Sequence, residues 1–200
     1  MIRAIIFDLW STVLAKGTSI SGTLHQTFNI RRYPGFVKRY ERAIQLRKWS
    51  SRKAEAHALL RKFCIQQTPG NMQVMTKAIT RAVQDAYPNQ GMRALLAKLG
   101  RKYKLGLLSN TSYWERKVMT RTGIQKYFDS VVFSFEIKSL KPARKPYLKV
   151  MDKLRIRPQE CIFIDDTAEN IHGAKKLGMH AIQYKNTAQI TRELRKRGIL

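Results

Sequence analysis

Two short apolar runs in this chain each end in acidic residues that could perform chemistry. Asp8 follows residues 5–7, and the pair Asp165 and Asp166 follows residues 161–164. If both runs are strands of one parallel sheet, their carboxyl ends place these three carboxylates side by side in the crevice at that edge. Carboxylates so close together repel one another unless a cation is bound or a proton is shared. Mg²⁺ is the cation expected, because it takes hard oxygen ligands and binds through a few carboxylates plus substrate phosphate.

The rest of the chain alternates apolar runs with helical patterns. Strands are predicted at 2–7, 104–108, 130–134, 161–164 and 179–183, and helices at 90–101, 113–122, 145–154, 168–177 and 187–197. Strands that alternate with helices are typical of a parallel sheet with helices on both faces. The predicted fold class is therefore α/β, with a Rossmann-like sheet forming a core domain from residues 1–15 and 89–200.

Residues 16–88, the helical insertion, interrupt this alternation. Helical periodicity is found at 35–48, 51–66 and 71–86, and no strand is convincing. An insertion directly after the first strand would lie over the edge of the sheet to which the carboxylates point. We therefore predict a small all-helical cap domain at 16–88 that closes over substrate. The alternative is a helical lobe that adds core and makes no substrate contact.

Basic residues dominate the composition and concentrate in the helical insertion. The 200 residues carry a formal net charge of +26, and 11 Lys or Arg stand against two acids, Glu41 and Glu55, between Arg31 and Lys62. Many of them form doublets, such as Arg31-Arg32, which spread charge around a helix. Either this is an ordinary solvated basic surface, or it attracts polyanions and phosphorylated substrates.

Cysteine usage and apolar content suggest a cytoplasmic protein. Cys64 and Cys161 lie far apart in sequence, so a disulfide framework is not expected and a reducing cytoplasm fits better. The start of the chain does not have the pattern of a signal peptide. No run approaches the ~18–20 apolar residues of a membrane span, so no membrane partner is expected.

Four segments resemble, in order, the motifs of the haloacid dehalogenase-like superfamily. They are FDLWST at 7–12, LLSNTS at 107–112, LKPARKPY at 140–147 and FIDDTAENIHGAKKLGMHAI at 163–182. Each lies at the carboxyl end of a predicted strand or in the loop beyond it. Any one of them alone would be weak, but the four in this order are a specific signal that covers nearly the whole chain.

The resemblance implies a catalytic role for several of these residues. Asp8 would be the nucleophile that attacks phosphorus and forms an aspartyl-phosphate. Lys141 would neutralise charge on the phosphoryl group and hold Asp8 ionised and oriented. Ser109 would donate a hydrogen bond to a phosphate oxygen, and Asn110 and Thr111 would add polar contacts nearby.

The resemblance also implies a Mg²⁺ site. Asp8, Asp165 and Asp166 would hold the ion directly or through water, and the main-chain carbonyl of Trp10 would supply a further oxygen. Asn170 would hold in place the loop that carries the fourth motif.

Trp10 departs from the family pattern. In phosphatases of this family the residue two after the nucleophile is an aspartate that protonates the leaving group and then activates water. An indole can do neither, and general acid–base catalysis is typically worth ~10²–10⁴-fold in rate. Ser11, where the family usually has glycine, is a smaller departure.

Three hypotheses of function remain open. The favoured one is a Mg²⁺-dependent phosphohydrolase that acts on a small phosphorylated metabolite and transfers protons through another group. The second is a dehalogenase-like hydrolase that acts at carbon through an ester on Asp8, since that subgroup has an aromatic residue at the position of Trp10. The third is a catalytically weak protein whose basic cap binds nucleic acid or another polyanion. Nucleic acid is not favoured, because no nucleic-acid-binding motif is present. The substrate and the oligomeric state do not follow from the sequence.

Overall fold

A five-stranded parallel sheet forms the centre of the molecule in the computed structural model, which describes residues 1–30 and 35–200. In chain order the strands are β1 (Ala4–Phe7), β2 (Leu14–Ala15), β3 (Tyr87–Pro88), β4 (Lys104–Ser109), β5 (Ser130–Phe133), β6 (Cys161–Asp165) and β7 (His180–Gln183). The order in the large sheet is β5-β4-β1-β6-β7. All four residues of β1 are buried, as expected for a central strand covered on both faces.

The strand order determines where the functional residues meet. β1 pairs in parallel with β4 on one side and with β6 on the other, with Phe7 opposite Leu107 and Ile164. The residues that follow β1, β4 and β6 therefore emerge together at the carboxyl edge of the sheet.

Helices cover both faces of the sheet, which confirms the predicted α/β class. In chain order the helices are α1 (Ile20–Phe28), α2 (Phe36–Ile44), α3 (Arg52–Lys62), α4 (Pro69–Gln84), α5 (Met92–Leu99), α6 (Val118–Thr122), α7 (Ser134–Ile137), α8 (Arg144–Leu154), α9 (Ala168–Lys176) and α10 (Thr187–Lys196). Apolar side chains of α5, α6 and α10 pack against one face of the sheet. Those of α8 and α9 pack against the other.

The helical insertion has its own apolar core. Helices α1 to α4 bury a separate cluster that includes Leu24, Ile44, Leu59 and Ile79. The short strands β2 and β3 pair antiparallel at the base of the helical insertion, where the chain leaves the core domain and where it returns to it. This arrangement suits a cap, but closure over substrate stays a prediction.

Two features of the helical insertion differ from expectation. The expectation of no strand is wrong at the end of the segment, because Tyr87–Pro88 pairs with Leu14–Ala15. Helix α1 was not predicted; the hydroxyl of Ser19 caps it by accepting a hydrogen bond from the Gly22 N–H. The Arg31-Arg32 doublet lies outside the described residues.

The predicted elements of the core appear with shifts of a few residues at their ends. The helix expected at 113–122 is split into a 3₁₀ turn at Glu115–Lys117 and the short helix α6. Within residues 1–30 and 35–200, no helix combines the length and the apolar character that crossing a bilayer requires.

Candidate active site

Asp8 and Asp165 meet because the strands that carry them are neighbours. Asp8 directly follows β1, Asp165 is the last residue of β6, and the Asp8 N–H donates to the Ile164 carbonyl at 2.8 Å. Asp166 comes next in the chain. One carboxylate oxygen from each of the three aspartates lies within 4.8 Å of the others. We call Asp8, Asp165 and Asp166 the carboxylate cluster.

Lys141 is a buried cation that bridges two members of the cluster. Its Nζ lies 2.6 Å from Asp8 Oδ1 and 2.6 Å from Asp165 Oδ2. Only 3% of Lys141 and none of Asp165 is exposed to solvent. Burial lowers the pKa of Lys141, but the carboxylates of Asp165 and Asp8 raise it by more, so the ammonium stays protonated.

The environment of Asp8 opposes its negative charge. Burial raises the pKa of Asp8 to about 7; the Lys141 ammonium acts in the opposite direction, and the charge of Asp165 raises the pKa further. An additional cation beside Asp8 would therefore favour the ionised form that a nucleophile needs.

Asp165 is held by a set of donors from the following loop and helix. Its Oδ1 accepts from the Thr167 N–H at 2.8 Å, and the Asn170 amide donates to both carboxylate oxygens at 3.1 and 3.2 Å. The Asn170 carbonyl in turn accepts from the hydroxyl of Tyr147 at 2.8 Å. These contacts hold in place the loop that follows β6 and carries the fourth motif. This is the role expected of Asn170.

The donor set of the carboxylate cluster fits a hard divalent cation. Within the described part of the chain, the Lys141 ammonium is the one cation in ion-pair contact with these three carboxylates, so their full ionisation leaves negative charge that a Mg²⁺ ion would neutralise. Burial and the neighbouring Asp165 raise the pKa of Asp166, a further sign of uncompensated charge. The Trp10 carbonyl as an additional ligand stays a prediction.

The polar residues at the end of β4 take different places. Ser109 is buried and is not among the residues that line the cavity, and within the described part of the chain its Oγ has no hydrogen-bond partner. Asn110 lines the cavity above the carboxylate cluster. Thr111 is fully buried, and its hydroxyl accepts a 2.6 Å hydrogen bond from Trp10 Nε1. The structure therefore does not bring the Thr111 side chain into the cavity.

Trp10 packs as part of the core and supplies no acid. Its side chain belongs to the apolar cluster on one face of the sheet, and only 7% of the residue is exposed. The Lys16 ammonium lies 4.9 Å from the centre of its ring, a cation–π contact. Ser11 has a φ of +63°, the left-handed region in which glycine is favoured, which explains why glycine is the usual residue there.

The helical insertion contributes side chains that the sequence did not identify as functional. A cavity of about 170 Å³ is lined by residues of both the helical insertion and the core domain. They include Asp8, Trp10, Lys16, Tyr40, Glu41, Asn110, Lys141, Asp165, Asp166 and Asn170. Glu41, on α2, accepts a 3.1 Å hydrogen bond at Oε1 from Asn110 Nδ2. The sequence feature that could have identified Glu41 was composition, because Glu41 is one of two acids in a strongly basic stretch.

Comparison with known proteins agrees with this geometry. A family model described as haloacid dehalogenase-like hydrolase matches residues 5–184. The bifunctional epoxide hydrolase 2 of Rattus norvegicus is 34% identical over 73 residues, 36% of this chain and 13% of that protein. The phosphorylated carbohydrates phosphatase of Thermotoga maritima is 30% identical over 96 residues, 47% of this chain and 44% of that protein. The matches therefore span less than half the length of these relatives.

Solved structures share the fold across most of the chain. A HAD family enzyme from Bacteroides thetaiotaomicron, in complex with magnesium and inorganic phosphate, has a TM-score of 0.69 at 19% identity and covers 94% of this chain and 96% of its own. The L-2-haloacid dehalogenase of Xanthobacter autotrophicus, with chloropropionic acid covalently bound, has a TM-score of 0.62 at 20% identity, covering 100% and 85%. At these identities the similarity shows the fold and leaves the reaction open.

Proposed function

Because this chain belongs to the haloacid dehalogenase-like hydrolases, we propose that it is a Mg²⁺-dependent phosphohydrolase that works through an aspartyl-phosphate on Asp8. The observation that carries the proposal is the carboxylate cluster with Lys141 bound between Asp8 and Asp165. A nucleophilic carboxylate, a fixed cation and a site for a hard metal ion are the groups that phosphoryl transfer requires.

Each residue has a role that its contacts support. Asp8 attacks phosphorus with its carboxylate, and the Lys141 ammonium orients Asp8 and offsets charge on the phosphoryl oxygens. The unpartnered hydroxyl of Ser109 would donate to another phosphoryl oxygen. Asn110 lines the cavity, and its side chain bonds Glu41 and the main chain of Lys141, so its role is to position these two residues. Mg²⁺, held by the carboxylate cluster and the Trp10 carbonyl, would supply Lewis-acid stabilisation of the transferring group.

The substrate proposed is a small phosphorylated metabolite. The cavity of about 170 Å³ is smaller than the ~300–1,000 Å³ typical of pockets for drug-sized ligands. Several relatives are named as phosphatases, among them N-acylneuraminate-9-phosphatase of Rattus norvegicus, 30% identical over 99 residues, 48% of this chain and 40% of that protein. The basic surface would speed the capture of anionic substrates. The cytoplasm stays our proposal for the compartment, since Cys64 and Cys161 are unpaired.

Dehalogenase-like chemistry at carbon is the second candidate. The aromatic residue at position 10 favours it, because dehalogenases of this superfamily have an aromatic residue there. Dehalogenases of this superfamily need no metal, however, so the carboxylate cluster would keep a costly excess of negative charge. That cost makes phosphate chemistry the better account.

Polyanion binding by the helical insertion is the third candidate. A cavity of about 800 Å³ between α2 and α3 is lined by Arg42, Arg47, Arg61, Lys62, His57 and Trp49, with alanines between them. Binding of mixed nucleic acid that weakens steeply as salt rises would be its electrostatic signature.

The test of the proposed function is phosphate release from para-nitrophenyl phosphate and acetyl phosphate, with Mg²⁺ and with EDTA. We expect Mg²⁺-dependent release by the wild type and none by Asp8→Asn, which keeps the shape of the side chain but not its nucleophilic charge. Metal-independent halide release from a 2-haloacid would favour the second candidate instead.

A further inference from the structure

Glu41 occupies the place from which a proton could reach a substrate. It lies on α2 of the helical insertion and lines the same cavity as Asp8 and Lys141. Its Oε1 accepts a hydrogen bond from Asn110 Nδ2 at 3.1 Å. Within residues 1–30 and 35–200, Glu41 is the one carboxylate that lines this cavity apart from the carboxylate cluster.

The partner of Glu41 is itself fixed to the catalytic lysine. Asn110 Oδ1 accepts from the Lys141 main-chain N–H at 2.9 Å, and Asn110 Nδ2 also donates to the Lys141 carbonyl at 3.2 Å. Glu41 is therefore held in register with Lys141, whose ammonium contacts the nucleophile. A proton donor must be positioned relative to the reacting bond before its acidity matters.

The residue that normally performs proton transfer is absent, because Trp10 stands in its place. The indole N–H of Trp10 is directed to Thr111, and its ring is packed in the core. In the proposed function, the three carboxylates of the carboxylate cluster already serve as the nucleophile and as ligands of the cation. Burial raises the pKa of Glu41 above its ordinary value, although the Asn110 hydrogen bond and the nearby Lys141 oppose this, so Glu41 holds a proton more readily than an exposed glutamate.

We propose that Glu41, delivered from the helical insertion, is the general acid and general base of the phosphohydrolase reaction. This inference rests on the proposed function. In the first half, an Asp8 oxygen bonds to phosphorus, the bond from phosphorus to the leaving oxygen breaks with its electron pair on that oxygen, and the Glu41 carboxylic acid gives it a proton. The products of this half are the free alcohol, the aspartyl-phosphate and the Glu41 carboxylate.

The second half restores both carboxylates. The Glu41 carboxylate takes a proton from water while the water oxygen bonds to phosphorus. The bond from phosphorus to Asp8 breaks, and its electron pair returns to the Asp8 carboxylate. Inorganic phosphate leaves and Glu41 is protonated again, so one water is consumed in each turnover.

The test compares leaving groups in the Glu41→Gln variant, which keeps an oxygen to accept from Asn110 but has no acidic proton. Phenyl phosphate has a basic leaving group, and we expect its kcat/KM to fall by ~10²–10⁴-fold. Acetyl phosphate has an acidic leaving group that needs little protonation, so its kcat/KM should change only slightly. Its kcat should still fall, with a burst of acetate and accumulated phosphoenzyme, because water activation in the second half is also lost.

Three controls make the result specific. Glu41→Asp keeps the acid on a shorter arm and should recover part of the phenyl phosphate activity. Asp152→Asn makes the same change of carboxylate to amide at a side chain of α8 that is 74% exposed, and should leave both substrates unaffected. Asp8→Asn should abolish phosphate release from both.

The outcomes separate this inference from the proposed function. Equal loss of kcat/KM for the two substrates in Glu41→Gln, or no loss, would overturn the role of Glu41 while Asp8-dependent activity stands. Phosphate release that survives Asp8→Asn, or a wild type that releases none, would overturn the proposed function and the role of Glu41 with it.

Discussion

Removing the Lys141 ammonium should cost the protein both activity and stability. In Lys141→Met the buried carboxylates of Asp8 and Asp165 lose a partner that lies 2.6 Å from each. Taking away one partner of a buried ion pair typically costs about 3–5 kcal/mol, because the remaining charge is left without compensation. We expect a loss of this size at pH 8 in the presence of EDTA, together with loss of phosphate release.

The destabilisation should depend on pH in a defined direction. The pKa of Asp8 is raised from 3.8 in the unfolded chain to about 7 in the fold, so stability is lost as pH rises through that window and Asp8 ionises. The ammonium of Lys141 limits this loss by lowering the Asp8 pKa, and the methionine variant lacks it. The difference between variant and wild type should therefore shrink from pH 8 to pH 5, where protonation of the carboxyl groups relieves their repulsion.

Urea unfolding at both pH values measures the effect. Lys149→Met is the matched control, because Lys149 is 46% exposed and, among the described residues, pairs only with the exposed Asp152; its effect should stay within about 0.5 kcal/mol. A Lys141→Met variant that loses less than about 1 kcal/mol at pH 8, or equally at the two pH values, would refute the electrostatic account of the site.

Two further predictions concern the stability contributed by other buried polar groups. Burial and the neighbouring Glu115 raise the pKa of Glu55 from 4.5 to about 8, so the wild type should lose stability as pH rises between these values, and Glu55→Gln should remove up to about 1.4 kcal/mol of that loss per pH unit in urea unfolding. A pH profile of the variant parallel to that of the wild type would show that Glu55 is not the cause. Trp10→Phe deletes the donor of the 2.6 Å hydrogen bond to Thr111 and should cost about 1–3 kcal/mol in urea unfolding, because a buried hydroxyl loses its partner. A variant as stable as the wild type would mean that this bond contributes nothing.

The sheet and the carboxylate cluster could be predicted because their signals are local. The apolar runs of β1 and β6 are each followed directly by acids, and adjacent parallel strands bring their carboxyl ends together whatever lies between them in sequence. Helix α1 gave a weaker pattern and was missed, as was the pairing of β2 with β3, whose strands have two residues each.

The details of the cavity could not be predicted because they depend on contacts between distant parts of the chain. Thr111 was expected to face substrate, but the hydroxyl pairs with an indole 101 residues away in sequence. Glu41 and Asn110 are 69 residues apart in sequence, and the packing of α2 over the sheet edge brings them into contact. No periodicity in the helical insertion specifies that placement.

Covalent phosphorylation of Asp8 is the central claim, and mass spectrometry of the acid-quenched protein tests it most directly. The wild type would be mixed with acetyl phosphate and Mg²⁺, quenched during turnover and digested, with Asp8→Asn treated in the same way. The account predicts a peptide that contains Asp8 and is heavier by one phosphoryl group, absent from the variant and more abundant in Glu41→Gln. Phosphate release with no modified Asp8 peptide in any of these samples would contradict it.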